Sequence, residues 1–282
     1  MTFRPVIKWI GTKRKQSAEI VKYFPEHINT YYEPFCGGCS VLYQLLMSED
    51  TKYTSIGRVV CSDINGDLID FWNTLMKDPK GLFDEYKRMW CEMSECPTRD
   101  LKRTYFETVR TEFNQTRSPY CFLFLMRTAT NGLPRYNKYG EFNNSFHLTR
   151  EGMNPITLKK SLDNWHNIFR EFEVEFRRCD YNEIFDEVEE GDFMYLDPPY
   201  LLTRSTGKYF GKLDYNNFFD RLRTLGYQGV KWACSFDNEH NGVIVPSDIY
   251  ENLVMTKGTN SGFRTTVLEM NSENKYGDLY LN

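Results

Sequence analysis

The chain has 282 residues, enough to bury a sizeable core either as one domain with a large insertion or as two smaller domains. Hydrophobic residues make up 40% of it and charged residues 26%, which excludes a disordered chain, a collagen-like repeat and a coiled coil. The longest apolar run, residues 120–126, is far shorter than the roughly 20 residues of a membrane span. The start, MTFRPVIKW, lacks the apolar stretch of a signal peptide, so we expect a cytoplasmic protein that contacts no membrane.

Charge is distributed unevenly along the chain. The formal net charge is −4, which argues against a protein covered in positive charge. Residues 76–165 nevertheless carry 15 Lys and Arg against 11 Asp and Glu, whereas the remainder carries 20 against 28. A basic middle between acidic flanks is typical of a segment that binds nucleic acid, and it is as often only a solvated surface.

The eight cysteines predict free thiols, because a chain without a secretion signal belongs to a reducing compartment. Cys36 and Cys39 have the CxxC spacing of zinc ribbons and of thioredoxin-like redox sites. A structural zinc ion needs four ligands, but the sequence has no second CxxC pair and only 4 histidines. We therefore expect neither a metal site nor redox chemistry.

The order of the predicted elements indicates an α/β sheet interrupted by an insertion. In chain order they are strand 31–35, helix 40–47, strand 58–62, a helix around residues 68–75, helices 81–91, 99–113 and 119–127, a polar passage at 130–146, strands 172–178, 192–196 and 229–235, and a C-terminal hairpin within 265–280. The sequence thus predicts one domain from residues 1–76 and 166–282, which contains the sheet, and an inserted helical domain at residues 77–165.

A glycine turn follows the first predicted strand. The segment EPFCGGCS (33–40) leads into helix 40–47 at the sheet edge where open α/β folds bind nucleotides. Gly37 lets the backbone approach a ligand, and it equally suits a plain tight turn. Asp63 ends the second strand, where such folds hold two ribose hydroxyls, or else it caps the next helix. The sequence has no GxxxxGK[ST], so a triphosphate site is not supported.

The motif DPPY (197–200) directly follows the strand at 192–196. Two prolines fix φ and remove two amide donors, so the turn is rigid and its carbonyls can accept hydrogen bonds from a ligand. The Asp197 carboxylate and the Pro198 carbonyl can hold both hydrogens of a planar NH2 group while Tyr200 stacks on the ring that bears it. This grip favours the tetrahedral nitrogen that attacks an electrophile. The alternative interpretation is a plain Pro-Pro turn.

Taken together, the motifs KWIGTK (8–13), YYEPFCGGCS (31–40), SDIN (62–65) and DPPY (197–200) resemble the Dam-type DNA adenine N6-methyltransferases, the D12 class or alpha group. The passage NGLPRYNKYGEFN (131–143) is similar to the NGLxRYNxxGEFN loop of that family's target-recognition domain. Two departures stand out: Cys39 replaces the last glycine of FxGxG, and NNSFHL (143–148) lacks a proline and a following basic residue.

The resemblance implies a class I S-adenosylmethionine-dependent methyltransferase sheet, Rossmann-like, with an inserted helical target-recognition domain. It assigns the cofactor pocket to Trp9, Lys13, Phe35, Gly37, Asp63, Asp180 and Asp197, with Asp63 on the ribose and Asp180 beside the cofactor adenine. Asp197, Pro198 and Tyr200 would hold the target adenine, which must leave the duplex because its amino group is paired there. The residues implied to contact DNA are Lys8, Asn131, Leu133, Arg135 and Asn137.

The sequence therefore predicts a site-specific enzyme that transfers a methyl group from S-adenosylmethionine to adenine N6 in double-stranded DNA. We expect a short site sharing at least a GA core with GATC, and a metal-free monomer in the cytoplasm of a bacterial or phage-infected cell. The DPPY grip fits any exocyclic amine, so cytosine N4 and RNA adenine are rival substrates, against which the recognition loop argues. A DNA-binding protein without catalysis is disfavoured by the intact Asp197 and Tyr200.

Overall fold

The computed structural model describes residues 4–47, 55–199, 213–236, 246–259, 262–266 and 278–282. The chain divides into two compact units. The helical unit consists of Met1–Thr12 and Asn65–Glu171, and the sheet unit consists of Lys13–Ile64 and Phe172–Asn282. Within the described ranges, no helix combines the length and apolar character that crossing a bilayer requires.

The sheet unit is built on eight strands. They are β1 (His27–Glu33), β2 (Ser55–Asp63), β3 (Val174–Arg178), β4 (Phe193–Leu196), β5 (Lys231–Phe236), β6 (Asn252–Thr259), β7 (Gly262–Thr266) and β8 (Asp278–Leu281). Their order across the sheet is β3-β2-β1-β4-β5-β8-β6-β7. The first five strands are parallel, and every pairing beyond β5 is antiparallel. This arrangement confirms the predicted Rossmann-like methyltransferase sheet.

Helices cover the parallel part of the sheet. They are α1 (Ser17–Ile20), α2 (Ser40–Met47), α8 (Tyr181–Phe185) and α9 (Tyr215–Tyr227). All four residues of β4, FMYL, are buried, as expected for a parallel strand with both faces covered. On one face, Tyr181 and Phe185 of α8 and Phe218 of α9 join side chains of β4 and β5 in an apolar cluster.

The C-terminal strands differ from the sequence prediction. Most of the predicted hairpin within 265–280 lies outside the described residues, and its described ends, which belong to β7 and β8, do not pair with each other. Instead β8 lies between β5 and β6, with Leu279 opposite Ser235 and Tyr280 opposite Leu253. Both edges of β8 are therefore occupied, and β7 pairs with the other edge of β6.

The helical unit contains five helices, namely α3 (Gly66–Lys77), α4 (Pro79–Glu95), α5 (Arg99–Thr116), α6 (Pro119–Thr128) and α7 (Pro155–Glu171). Helix α6 is buried from Cys121 to Thr128 because α3, α4 and α5 all pack on it. Trp72 of α3 stacks edge to face on Trp165 of α7, with 4.9 Å between ring centroids. The unit therefore includes α3 and all of α7, whereas the sequence placed the domain boundaries at residues 77 and 165.

Candidate functional site

The glycine turn after β1 is tied to the end of β2. Gly37 has φ +47°, in the left-handed region that favours glycine. Its N–H donates to Asp63 Oδ2 at 3.3 Å, and the Cys36 N–H donates to the Ser62 carbonyl at 3.0 Å. The carboxylate of Asp63 thus lies beside the turn at the carboxyl edge of the sheet.

The cap of helix α3 resolves one alternative left by the sequence. Asn65 is the N-cap residue, and its Oδ1 accepts the Leu68 N–H at 3.2 Å. Asp63 lies two residues earlier, and its carboxylate bonds to the glycine turn instead. The helix-cap interpretation of Asp63 is therefore wrong.

Cys39 occupies the position where the family has its last glycine. It has φ +50° and no exposed surface, so a side chain stands where the backbone favours none. Burial raises the pKa of the Cys39 thiol well above its ordinary value and that of Cys36 to about 12. Both thiols stay protonated at neutral pH, which disfavours the thiolate chemistry of a CxxC pair. Among the residues that the structure describes, no three His, Cys, Asp or Glu side chains are arranged to hold a metal ion.

Asp197 follows β4 and forms a buried ion pair. The Lys13 ammonium donates to Asp197 Oδ1 at 2.5 Å, and the two side chains are only 7% and 19% exposed. The next two residues are prolines, and the Tyr215 hydroxyl of α9 donates to the Pro199 carbonyl at 2.5 Å. The DPP turn is thus fixed at both ends. Tyr200, which the sequence assigns to base stacking, lies outside the described residues.

A second carboxyl group lies under Asp197. Glu33 is 3% exposed, and its Oε2 accepts a hydrogen bond from the Tyr31 hydroxyl at 2.7 Å. Tyr31 is paired with Phe193 in the parallel sheet, so side-chain alternation puts Tyr31 and Glu33 on the same face as Phe193 and Tyr195. Burial, with a smaller contribution from the charge of Asp197, raises the pKa of Glu33 to about 8.

The remaining predicted cofactor residues are distributed over both units. Phe35 lies in the glycine turn, with its ring 5.5 Å from Tyr181 and 6.1 Å from Phe218. Asp180 follows β3 and forms a capping box with Glu183, accepting the Asn182 N–H at 2.9 Å. The structure therefore brings Lys13, Phe35, Gly37, Asp63, Asp180 and Asp197 to the carboxyl edge of one sheet. Trp9 belongs to the helical unit and is half-buried there.

The predicted DNA-contacting residues all belong to the helical unit, and most lie in a hairpin at residues 133–143. Tyr136 and Phe142 form its antiparallel bridge, and Asn137 Oδ1 closes the tip by accepting the N–H groups of Tyr139 and Glu141. Arg135 is exposed on one arm. The hairpin lies within the polar passage at 130–146 that the sequence predicts.

Lys8 packs against the turn that precedes the 133–143 hairpin. Asn131 and Gly132 have φ +57° and +59°, and a Cβ on Gly132 would lie 2.2 Å from the Lys8 Cβ. Only glycine fits this close approach. The contact fixes Lys8 beside Asn131 and Leu133, so these three predicted DNA-contacting residues are neighbours.

Sequence reasoning missed the residues that support these sites. Asp67 Oδ2 accepts hydrogen bonds from the Tyr136 hydroxyl at 2.5 Å and from Arg117 Nη1 at 3.3 Å, and Arg117 Nη2 donates to the Gly140 carbonyl. Tyr215 supports the DPP turn, and Tyr31 binds the Glu33 carboxyl near Asp197. The acid that follows two tyrosines in the predicted strand 31–35 was a visible signal for Glu33, whereas the other contacts join residues distant in sequence.

The strand order, the glycine turn and the two carboxylates at the carboxyl edge define a class I methyltransferase. A sequence profile of the D12 class N6 adenine-specific DNA methyltransferases matches residues 9–228. This chain belongs to that family of adenine-specific DNA methyltransferases.

Similarity to individual relatives agrees with the family assignment. The chain is 31% identical over 234 residues to Type II methyltransferase M.MjaIII of Methanocaldococcus jannaschii, covering 77% of this chain and 76% of that protein. It is 30% identical over 210 residues to a DNA adenine methylase of Vibrio cholerae, and the match covers 73% of this chain and 68% of that protein. The Type II methyltransferase M1.LlaDCHI of Lactococcus lactis is 24% identical over 238 residues, and the match covers 82% of this chain and 80% of that protein.

The raised pKa of Glu33 predicts a pH-dependent stability. Between the ordinary value of 4.5 and about 8 the folded protein keeps a proton that the unfolded chain has lost. The unfolding free energy contributed by Glu33 therefore falls as pH rises through this window and is constant above it. We expect Glu33→Gln, which cannot ionise, to gain stability relative to wild type from pH 5 to pH 8, measured by urea unfolding. The exposed Glu26→Gln is the control, and parallel stability curves for Glu33→Gln and wild type would contradict the assignment.

The positive φ of Cys39 predicts that glycine is better than alanine at this position. Both Cys39→Gly and Cys39→Ala remove the thiol, but only glycine adopts φ +50° without a steric cost, so the glycine variant should be more stable by about 1 kcal/mol. Cys91, in the interior of helix α4, is the control. There the alanine variant should be the more stable by about 1 kcal/mol. Thermal or urea unfolding of the four variants measures both differences, and the same order at both sites would refute the prediction.

Proposed function

We propose that this enzyme transfers a methyl group from S-adenosylmethionine to N6 of a flipped-out adenine in double-stranded DNA. The observation that carries the proposal is the Lys13 contact with Asp197, in which a nitrogen donor lies 2.5 Å from a carboxylate oxygen at the carboxyl edge of the sheet. The N–H of an adenine amino group is a donor of the same kind. Asp197 is therefore suited to accept it once Lys13 moves aside.

The proposed chemistry uses the oriented acceptors of the DPP turn. The lone pair of an exocyclic amine is delocalised into its ring, so the amine is a poor nucleophile. Acceptance of both N–H groups, by the Asp197 carboxylate and the Pro198 carbonyl, favours a tetrahedral nitrogen whose lone pair points at the methyl carbon. The N–C bond forms as the C–S bond breaks, and the sulfur keeps the electron pair. The methylated nitrogen, now acidic, then loses its proton, so no separate general base is required.

The residues at the carboxyl edge fit the proposed cofactor. Members of this family and fold generally use S-adenosylmethionine, which supplies an electrophilic methyl group on a sulfonium. Asp63 lies at the end of β2, where a carboxylate can accept hydrogen bonds from ribose hydroxyls. The side-chain-free Gly37 allows close approach, and Phe35, Asp180, Lys13 and Trp9 are the further proposed contacts.

The proposed DNA-binding part is the inserted helical domain. Its 133–143 hairpin has a polar tip and an exposed Arg135, and a two-stranded ribbon fits the major groove of B-DNA. Lys8, Asn131, Leu133 and Asn137 are the further proposed contacts. We propose a short site that shares a GA core with GATC, and a monomeric, cytoplasmic enzyme.

Removal of the Asp197 charge tests the proposed reaction. Asn keeps the shape of the side chain but holds the amine less strongly, so Asp197→Asn should lower the methylation rate by about 10²- to 10³-fold. Duplex affinity should change little, because Asp197 is proposed to touch only the flipped base. The measurement is transfer of labelled methyl to duplex DNA, with N6-methyladenine identified by sequencing. The exposed Asp220→Asn is the control, and near-normal turnover of Asp197→Asn would exclude the grip.

The cofactor proposal predicts an effect on binding alone. Calorimetry with S-adenosylmethionine should show one saturable site without added metal. Asp63→Ala should weaken this site about 10-fold or more, because two hydrogen bonds from ribose hydroxyls to a carboxylate are lost. Asp186→Ala, which removes an exposed acid from the same unit, should bind like wild type. Equal affinities for wild type and both variants would exclude the proposed contact between Asp63 and the ribose.

Arg135 tests how the hairpin recognises DNA. An arginine that pairs with guanine contributes about 1–3 kcal/mol of discrimination at one base pair, whereas a phosphate contact carries no sequence information. We expect Arg135→Ala to lose its preference at a single position when duplexes related to GATC are varied one base pair at a time. Arg103→Ala, which removes an exposed cation from α5, is the control. A similar loss of activity on every duplex would show a phosphate contact instead.

A further inference from the structure

His147 lies just after the 133–143 hairpin, and its backbone is held on both sides. Its N–H donates to the Thr128 carbonyl at 3.0 Å, and its own carbonyl accepts a hydrogen bond from the Arg99 guanidinium. The side chain is fixed as well, because Nδ1 accepts the N–H groups of Thr149 and Arg150, each at 3.1 Å. The imidazole ring therefore has a defined orientation.

These contacts also define where the ring carries its proton. A nitrogen that accepts two N–H groups has its lone pair in use, so the neutral ring is protonated on Nε2, on the opposite side. A second proton on Nδ1 would face two other N–H groups. Partial burial, together with the positive charges of Lys8, Arg150 and Arg99, lowers the pKa of His147 below its ordinary value. At neutral pH His147 thus offers one uncharged N–H donor.

The surroundings of His147 are basic and open to a ligand. Leu148 next to it is 74% exposed, and Arg150 is exposed. Lys8 is close enough for its charge to act on His147. The acid of this turn, Glu151, lies 2.7 Å from the Lys102 ammonium. An anionic polymer would thus be attracted to a surface that also carries a neutral donor.

We propose that His147 is a specificity-determining residue, which donates its Nε2 hydrogen to an acceptor on a base edge in the major groove. This inference rests on the proposed function, in which the helical domain binds the DNA. A neutral donor suits the uncharged acceptors of bases, namely purine N7, guanine O6 and thymine O4. Phosphates are served by the neighbouring cations Lys8 and Arg150.

Two substitutions separate reading of a base from support of the turn. His147→Ala removes both the donor and the acceptor. His147→Asn removes the Nε2 hydrogen donor. The Oδ1 of the asparagine can still accept the N–H groups of Thr149 and Arg150, as asparagine does in Asx turns. We therefore expect His147→Asn to fold and to methylate the preferred duplex.

The experiment measures methylation of duplexes changed one base pair at a time, by wild type and both variants. His147→Asn should lose about 3- to 10-fold of the discrimination at one base pair and keep it elsewhere, the effect of one neutral hydrogen bond. His147→Ala should lose the same discrimination.

Three outcomes would overturn the inference. The first is that His147→Asn keeps the wild-type base preference at every position, and the second is that the preference changes only in His147→Ala. The third is that His147→Asn loses a similar share of activity on every duplex and that the salt dependence of binding weakens by about one charge, which indicates a phosphate contact. A wild type that methylates no duplex would overturn the proposed function itself. The two failures are thereby distinguished.

Discussion

The candidate site depends on one constraint, that parallel strands place their carboxyl ends at the same edge of a sheet. β1 runs parallel to both β2 and β4, so Gly37, Asp63 and Asp197 follow three neighbouring strands and come together although the chain separates them widely. Each strand needs to supply only one group, because the hydrogen-bonded register fixes their spacing. The helical insertion lies between β2 and β3 in sequence, so its size does not alter this register.

Burial then determines which acidic side chains are ionised at the carboxyl edge of the sheet. Two ionised carboxylates close to each other in a site of low dielectric constant would repel each other. Burial instead raises the pKa of Glu33 to about 8, and the Tyr31 hydroxyl satisfies its oxygen. At neutral pH the Glu33 carboxyl therefore keeps its proton, whereas the Asp197 carboxylate is paired with the Lys13 ammonium. Neighbouring acids held in different environments are a common arrangement in active sites.

Local patterns were predicted correctly and long-range pairing was not. Helix 40–47 was predicted with its observed bounds, because the apolar spacing that specifies it is local. The sequence left two roles open for Asp63, since an acid after a strand suits either a ribose or a helix cap, and the contacts of Asn65 excluded only the helix cap. The described ends of the predicted hairpin within 265–280 pair with other strands, because strand pairing depends on which edges other strands occupy. The Lys13 contact with Asp197 joins residues 184 positions apart, so no local pattern could indicate it.

The backbone of the 133–143 hairpin is held by contacts that do not involve its exposed side chains. Its conformation is held from behind: Asn114 accepts the Phe142 N–H at 2.7 Å and donates to the Phe142 carbonyl at 3.0 Å, and Asp67 binds Tyr136. None of these bonds involves the exposed side chain of Arg135. If the hairpin has its proposed role, a substitution at such an exposed position changes the groups offered to DNA without remodelling the loop. Within the departures from the family pattern at residues 143–148, Asn144 is buried and donates to the Thr130 and Leu133 carbonyls at 2.8 and 3.0 Å, so this part of the segment supports the fold of the hairpin.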